Sequence, residues 1–317
     1  MKCLIVQPIH AAGHALLRAN GIEPVMALSP DMAQVAAQIP GCDAVITRDA
    51  GLSANAFAVA DKLRVVVVHG TGHNAVDKAA ANERGVMVAN TPGVNARSVA
   101  ELSVGLAIAA ARGVVAGDTA ERSGRPGFRD SASFVELSGK TALIVGWGAI
   151  GRDVGRMLDA AFGMHVLVYS PNAPDTGAFA RVATLNEGLA QADFVSLHTP
   201  MRPQTRHMIN ATTLAQMKPG AILVNVAREG LVDEAALAQA LISGRLGGAA
   251  LDVYGADAPT GPLGACANVI FTPHLGATTE DALRKVAQGA AGHVVTALAG
   301  QIPPTALNPD AWGGATV

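Results

Sequence analysis

Short β-branched apolar runs alternate along this chain with Ala-rich stretches whose apolar residues recur at helical spacing. Strands are predicted at 3–7, 44–47, 65–69, 86–89, 141–145, 165–169, 194–197, 222–226 and 269–272. In Val65-Val66-Val67-Val68 the apolar residues follow one another without alternation, the pattern of a strand covered on both faces. Such strands separated by helices predict an α/β class with parallel sheets and helices on each side. Near the C-terminus Leu283, Val286, Ala287, Ala290, Val294, Ala297 and Leu298 mark one helix face, with Thr278 and Thr279 as candidate N-caps. Two segments break the rhythm. The stretch 97–112 is apolar nearly all round, which predicts a helix buried on several sides, crossing between domains or packing at a subunit interface. The stretch 117–139 is polar and reads as a long loop with a role of its own or a crossing between domains.

The 317 residues exceed one ordinary domain and suit two. Half are hydrophobic and 15% charged, so sizeable cores can be buried. Net charge is −2 with acids and bases interspersed; the lack of a basic stripe argues against a nucleic-acid partner. The longest apolar stretch, 99–115, is cut by Glu101 and Arg112 and falls short of the about 18 clean apolar residues of a membrane span. The first eight residues read as a strand rather than a signal peptide. After Gly300 the chain is Pro-rich, and no further regulatory domain is expected there. The three cysteines, Cys3, Cys42 and Cys266, are scattered without a CxxC pair. That pattern predicts reduced thiols, no metal site and a cytoplasmic location.

The first chemistry-bearing motif follows the strand 141–145. Gly146-Trp147-Gly148-Ala149-Ile150-Gly151 stands between that strand and a helical face of Ile150, Val154, Met157, Leu158 and Ala161, the context a dinucleotide loop requires. Gly146 permits the tight turn, Gly148 lets the backbone approach a pyrophosphate, and Gly151 lets helix and strand pack closely. The helix N-terminus offers N–H donors and partial positive charge. The plainer reading is a Gly-rich turn joining strand to helix. The next strand runs into Ser170-Pro171-Asn172, without the acid that binds the ribose 2′-hydroxyl of NAD. This favours NADP slightly over NAD, although Ser170 could be a turn residue only, and the nearest arginine downstream is Arg181.

Further motifs carry a resemblance. They are Val195-Ser196-Leu197-His198-Thr199-Pro200, the run from Met217-Lys218-Pro219-Gly220 through Asn225-Val226-Ala227-Arg228 to Asp233-Glu234, Ala250-Leu251-Asp252-Val253-Tyr254, Thr272-Pro273-His274-Leu275-Gly276, and Asn90-Thr91-Pro92-Gly93-Val94-Asn95. In this order, over nearly the whole chain, the sequence resembles the D-isomer specific 2-hydroxyacid dehydrogenases, the family of phosphoglycerate dehydrogenase and hydroxypyruvate/glyoxylate reductases. The resemblance implies two doubly wound parallel-sheet domains. A flavodoxin-like substrate domain would comprise 1–97 with 281–317, and a Rossmann dinucleotide-binding domain 98–280. Substrate would sit in the cleft between them, and the chain would form a homodimer through the dinucleotide-binding domain.

It implies reduction of a small 2-keto acid to the D-2-hydroxy acid, or the reverse, with NADP or NAD. Arg228 would hold the carboxylate and polarise the carbonyl. His274 would be the general acid/base, with Asp257 as its carboxylate partner. The family usually has Glu at that position, and Asp257 is shorter by about 1.5 Å. Cofactor contacts implied are Gly146, Gly148, Ala149, Ile150, Gly151, Ser170, His198, Thr199, Pro200, Val226, Ala227, Asp252 and Gly276. Substrate contacts implied are Arg48, Gly70, Thr71 and Gly72. His69 and His73, flanking Gly70-Thr71-Gly72, read more simply as loop histidines. Sparse cationic residues in the first domain favour an unphosphorylated acid such as glyoxylate or hydroxypyruvate over a phosphoglycerate-type substrate. A dinucleotide-sensing binding or corepressor module and a formate-type dehydrogenase stay as alternatives.

Overall fold

The computed structural model describes residues 1–311. The chain forms two compact units, Met1–Asn95 with the segment from Thr278 onward, and Ala96–Ala277. The divisions fall at the start of the helix Ala96–Ala111 and between Ala277 and Thr278, just ahead of Thr279, the N-cap of the helix Glu280–Leu298. Residues 312–317, expected in the substrate domain, lie outside the described residues.

The first unit is a parallel sheet of β1 (Lys2–Ile5), β2 (Glu23–Met26), β3 (Ala44–Thr47), β4 (Val65–Val68) and β5 (Met87–Asn90) in the order β2-β1-β3-β4-β5. That is the flavodoxin-like order. The four valines of β4 are buried on both faces, as their unbroken apolar run requires. The C-terminal helix returns to this unit because its face of Ala290, Ala291, Val294, Ala297 and Leu298 packs on Ile5, Ile46, Val67 and Ala89. Small residues allow a close crossing with the helix Ala11–Ala19: a Cβ on Gly13 would lie 3.0 Å from the Ala287 carbonyl oxygen.

The second unit holds β6 (Thr141–Val145), β7 (His165–Tyr169), β8 (Ala180–Arg181), β9 (Phe194–Leu197), β10 (Ala221–Asn225), β11 (Leu246–Leu251) and β12 (Val269–Phe271). The order β12-β11-β10-β9-β6-β7-β8, with every pair parallel, is the Rossmann order extended by one strand. In both sheets the chain reverses direction across the sheet at one point, and ligands bind beyond the carboxyl ends of the strands there. Val154 and Leu158 of the helix Ala149–Phe162 are fully buried among Ile144, Val166 and Val168, each such side chain contributing about 1.5–3 kcal/mol. On Ala96–Ala111 the residues Ala100, Ser103 and Ala107 are buried, whereas Glu101, Gly105 and Ile108 are exposed, so this unit covers one side of the helix rather than all of it.

The polar stretch 117–139 is partly helical, not a plain loop. Val114–Arg122 forms a helix and Phe128–Ser131 a single turn. The Asp118–Arg122 pair, 2.8 Å apart at helical spacing, supports a helix that polarity alone hides. No single helix among the described residues is long and apolar enough to cross a membrane; Ala96–Ala111 and Val114–Arg122 reach that composition only jointly, across a 60° bend.

Candidate active site

The glycine loop has the geometry its sequence predicts. Gly146 leaves β6 with φ +100°, and its N–H donates to the Tyr169 carbonyl at the end of β7 (2.9 Å). A Cβ there would lie 2.5 Å from the His198 carbonyl oxygen, so the position demands glycine on both counts. At Gly151 a Cβ would come within 2.1 Å of the Gly146 carbonyl oxygen, which fixes glycine for the helix–strand approach. Gly148 is the N-cap of Ala149–Phe162, and no side chain caps that end. A Cβ on Gly148 would meet nothing within 4 Å. Uncapped N–H groups, including those near Ile150, beside open space form a cradle that fits a pyrophosphate.

His198 follows β9 at the same edge. Its N–H donates to Val145 (2.7 Å), and its Nε2 is 2.8 Å from Ser196 Oγ. Nδ1 is buried without a partner, and burial pushes the imidazole down to about 3, so the ring is neutral at physiological pH. Thr199 and Pro200 continue into a more exposed loop.

Arg228, Asp252 and His274 follow the ends of three adjacent strands, β10, β11 and β12. Asn225 closes the first turn: its side-chain amide donates to the Arg228 carbonyl (2.9 Å), and its carbonyl oxygen accepts from Ala227 N (3.0 Å). Buried Val226 and half-buried Ala227 form the turn. The Arg228 guanidinium is half-buried and donates one hydrogen bond to Ala227 O (2.6 Å), leaving most of its five donors. Asn225 O then accepts from Asp252 N (2.9 Å), and Asp252 O accepts from His274 N (3.1 Å). One hydrogen-bonded frame thus runs from the arginine turn to the histidine, across strand ends about 10 Å apart overall.

The buried Asp252 carboxylate organises the histidine loop. It accepts from Thr272 Oγ1 (2.6 Å), Leu275 N (2.7 Å) and Gly276 N (2.9 Å). His274 has φ +55°, a left-handed conformation that a non-glycine residue adopts only when its surroundings hold it. The sequence marked Asp252 as a cofactor contact; the structure fills its carboxylate with donors from its own loop. Buried Gly276 belongs to the same network.

The structure does not bring the Asp257 carboxylate to His274. Asp257 is exposed, and its carbonyl closes a turn by accepting from Thr260 N (3.2 Å) and Gly261 N (2.8 Å). The loop is tethered instead by Glu234, whose carboxylate accepts from Gly255 N (2.8 Å).

In the first unit Arg48 follows β3. Its N–H donates to Gln7 Oε1 (3.1 Å) and its guanidinium to Pro8 O (3.2 Å). Beyond β4, Gly70 N donates to Thr91 Oγ1 (2.8 Å), and Asn90 Nδ2 donates to Thr71 O (2.8 Å). Asn90 and Thr91 thereby hold open the exposed turn of Thr71 and Gly72. His69 is buried, with Nε2 unpaired, and is pushed down to about 4, by burial first and by the Arg48 charge second.

The ordered glycine cradle with a Rossmann strand order defines a dinucleotide-binding protein of two doubly wound units. Residues 104–276 match the family model described as "D-isomer specific 2-hydroxyacid dehydrogenase, NAD binding domain", and the chain belongs to that family. It is 41% identical over 284 residues to a D-3-phosphoglycerate dehydrogenase of Mycobacterium bovis, covering 88% of this chain and 53% of that protein. The chain therefore spans about half the length of such relatives. A hydroxypyruvate reductase of Thermotoga maritima is 37% identical over 253 residues, covering 78% of this chain and 82% of that one. The crystal structure of the TT0316 protein from Thermus thermophilus superposes with a TM-score of 0.89 at 34% identity, covering 97% of this chain and all of that one.

Proposed function

We propose that the chain is a nicotinamide-dinucleotide-dependent oxidoreductase interconverting a small 2-keto acid and its D-2-hydroxy acid. The observation that carries this reading is the frame Asn225–Asp252–His274, which joins the turns bearing Arg228 and His274 beyond β10 and β12, across the intervening β11, in the sheet that bears the glycine cradle. The dinucleotide supplies or accepts hydride at the carbonyl carbon. The chain's own residues do the rest. Arg228 binds the carboxylate and polarises the carbonyl. His274 delivers a proton to the forming alkoxide on reduction and withdraws it on oxidation. The Thr71 and Gly72 amides donate to nothing among the described residues and suit a carboxylate; Arg48 adds positive charge on that unit. Asp257 takes the role of partner to His274 once its turn shifts toward the ring.

The cofactor is NADP or NAD, held at Gly146, Gly148, Ala149, Ile150 and Gly151, and by residues at the strand ends from Ser170 to Gly276. In the loops that follow β3 and β4 in the first unit Arg48 is the cation, which favours glyoxylate, hydroxypyruvate or a short 2-keto acid over a phosphorylated substrate. The screen that tests this supplies NADPH or NADH with each of these acids and with 3-phosphohydroxypyruvate. Turnover confined to the phosphorylated acid overturns the substrate choice. Tight dinucleotide binding without turnover of any acid favours the sensing module.

The partner is a second copy of the chain. Val115 (46% exposed) and Phe134 (45%) help line an apolar groove of about 260 Å³ together with Ala110, Gly113, Phe128 and Val269, all in the dinucleotide-binding unit, and Val114 beside Val115 is 54% exposed. Light scattering showing a monomer at micromolar concentration would remove this assignment.

A further inference from the structure

We infer that Arg181 and Ser170 form a subsite for the 2′-phosphate of the adenosine ribose, so that the chain selects NADP(H) over NAD(H). This rests on the dinucleotide reading above and specifies which dinucleotide. Tyr169 O, at the end of β7, accepts from Gly146 N (2.9 Å), which fixes the next residue, Ser170, beside the glycine loop. In this fold that is where the adenosine ribose is read. Ser170 is half-exposed, and its hydroxyl makes no hydrogen bond among the described residues. Its carbonyl accepts from Ala173 N (3.2 Å), so Ser170-Pro171-Asn172-Ala173 closes as a β-turn with proline at its second position.

Sequence distance hides the second member. Arg181 lies in β8, which pairs in parallel with β7 in the register Val168↔Arg181. The edge strand therefore returns the arginine to the ribose end of the sheet. Its guanidinium donates to the Ala173 carbonyl, which lays it against the turn that begins at Ser170. That hydrogen bond uses one of its five donors, and no carboxylate among the described residues lies within ion-pairing distance of it. Asp175, the acid of this loop, instead accepts from Gly177 N (2.8 Å). A guanidinium anchored by one donor, with a planar fork of others free beside an unpaired hydroxyl, matches a phosphate dianion. A carboxylate at Ser170 would favour the free 2′-hydroxyl instead, and none is there.

The experiment is isothermal titration of the purified chain with 2′,5′-ADP and with 5′-AMP, which differ only in the 2′-phosphate. The wild type should bind 2′,5′-ADP at least about tenfold more tightly, the scale of one charge-assisted contact. Arg181→Ala should erase that ratio while 5′-AMP affinity holds, and Arg181→Lys should keep part of it. Ser170→Asp, which leaves the arginine in place, should lower 2′,5′-ADP affinity alone. Equal binding of the two nucleotides by the wild type overturns the inference. So does a parallel loss of both in Arg181→Ala, which would mark the arginine as a staple of the turn. Binding of 5′-AMP and NADH without a 2′-phosphate preference defeats this inference alone; failure of every nucleotide to bind defeats the dinucleotide reading with it.

Discussion

Asp252→Ala separates the organising role of this carboxylate from a direct role in chemistry. Three donors lose their acceptor: Thr272 Oγ1, Leu275 N and Gly276 N. Hydrogen bonds to a charged group contribute roughly 1.5–3 kcal/mol each, an upper sum of about 5–9 kcal/mol. The effects are not additive within one network. Leu275 is exposed and Thr272 half-exposed, so both regain water, whereas buried Gly276 leaves an amide unsatisfied at about 1–3 kcal/mol. The expected loss is about 3–4 kcal/mol, or roughly 10 °C in the melting of a unit of this size. His274 keeps its backbone bonds to Asp252 O and Thr272 O but loses the support that holds it left-handed. Turnover should then fall about a hundredfold, with the dissociation constant for dinucleotide changed far less. Asp252→Asn keeps one good acceptor oxygen but turns an amide donor toward another donor, so it should fall between. Calorimetry and steady-state reduction of hydroxypyruvate by each variant read both effects. An Asp252→Ala protein with wild-type melting and wild-type turnover would refute the argument.

Other outcomes follow from the same geometry. Arg228→Ala should lower kcat/KM severely and raise KM, and Arg228→Lys should recover only part of the loss, because a point charge cannot make the forked contact; full recovery by lysine would remove the bidentate role. Asp257→Asn should lower turnover and move its acidic limb if the loop closes on His274, whereas an unchanged pH profile would leave Asp257 a solvated turn residue. Folded-state depression of His198 to about 3 and of His69 to about 4 means that the unfolded chain binds more protons below the ordinary histidine value near 6.5. Stability is therefore full above about pH 6.5 and falls as pH drops toward those depressed values, by at most about 1.4 kcal/mol per pH unit for His198, whose Nδ1 is buried. Urea unfolding at about pH 7 and pH 5 should show a loss of roughly 2 kcal/mol in the second unit, reduced in His198→Gln. An unchanged midpoint would refute the neutral, buried assignment.

Much of the framework was legible because burial leaves a compositional trace. The valines of β4 and the apolar β6 and β10 announce two-faced strands. The glycines at 146 and 151 announce backbone contacts that no other residue tolerates. Three strands left no such trace. Glu23-Pro24-Val25-Met26 is an edge strand with two exposed positions. Ala180–Arg181 is two exposed residues at an edge of the second unit's sheet. Leu246–Leu251 is built of Gly and Ala between its leucines, weak strand formers that tertiary packing overrides. At the site, Arg228 and His274 could be named from their motifs. Their connection through Asn225 and Asp252 could not, because it depends on β10, β11 and β12 lying side by side. Asn90, Thr91 and Gln7 were missed as loop holders for the same reason, since their partners are 19 or more residues away in sequence. A buried aspartate at the end of an apolar strand was the available signal for Asp252.

The most direct test of the central claim compares wild type with His274→Ala in one assay, following keto-acid-dependent oxidation of the reduced dinucleotide alongside a binding titration. The account expects turnover of hydroxypyruvate or glyoxylate by the wild type. It expects a loss of about 10²–10⁴-fold in the variant, with dinucleotide affinity unchanged. Near-native turnover without the imidazole would contradict it.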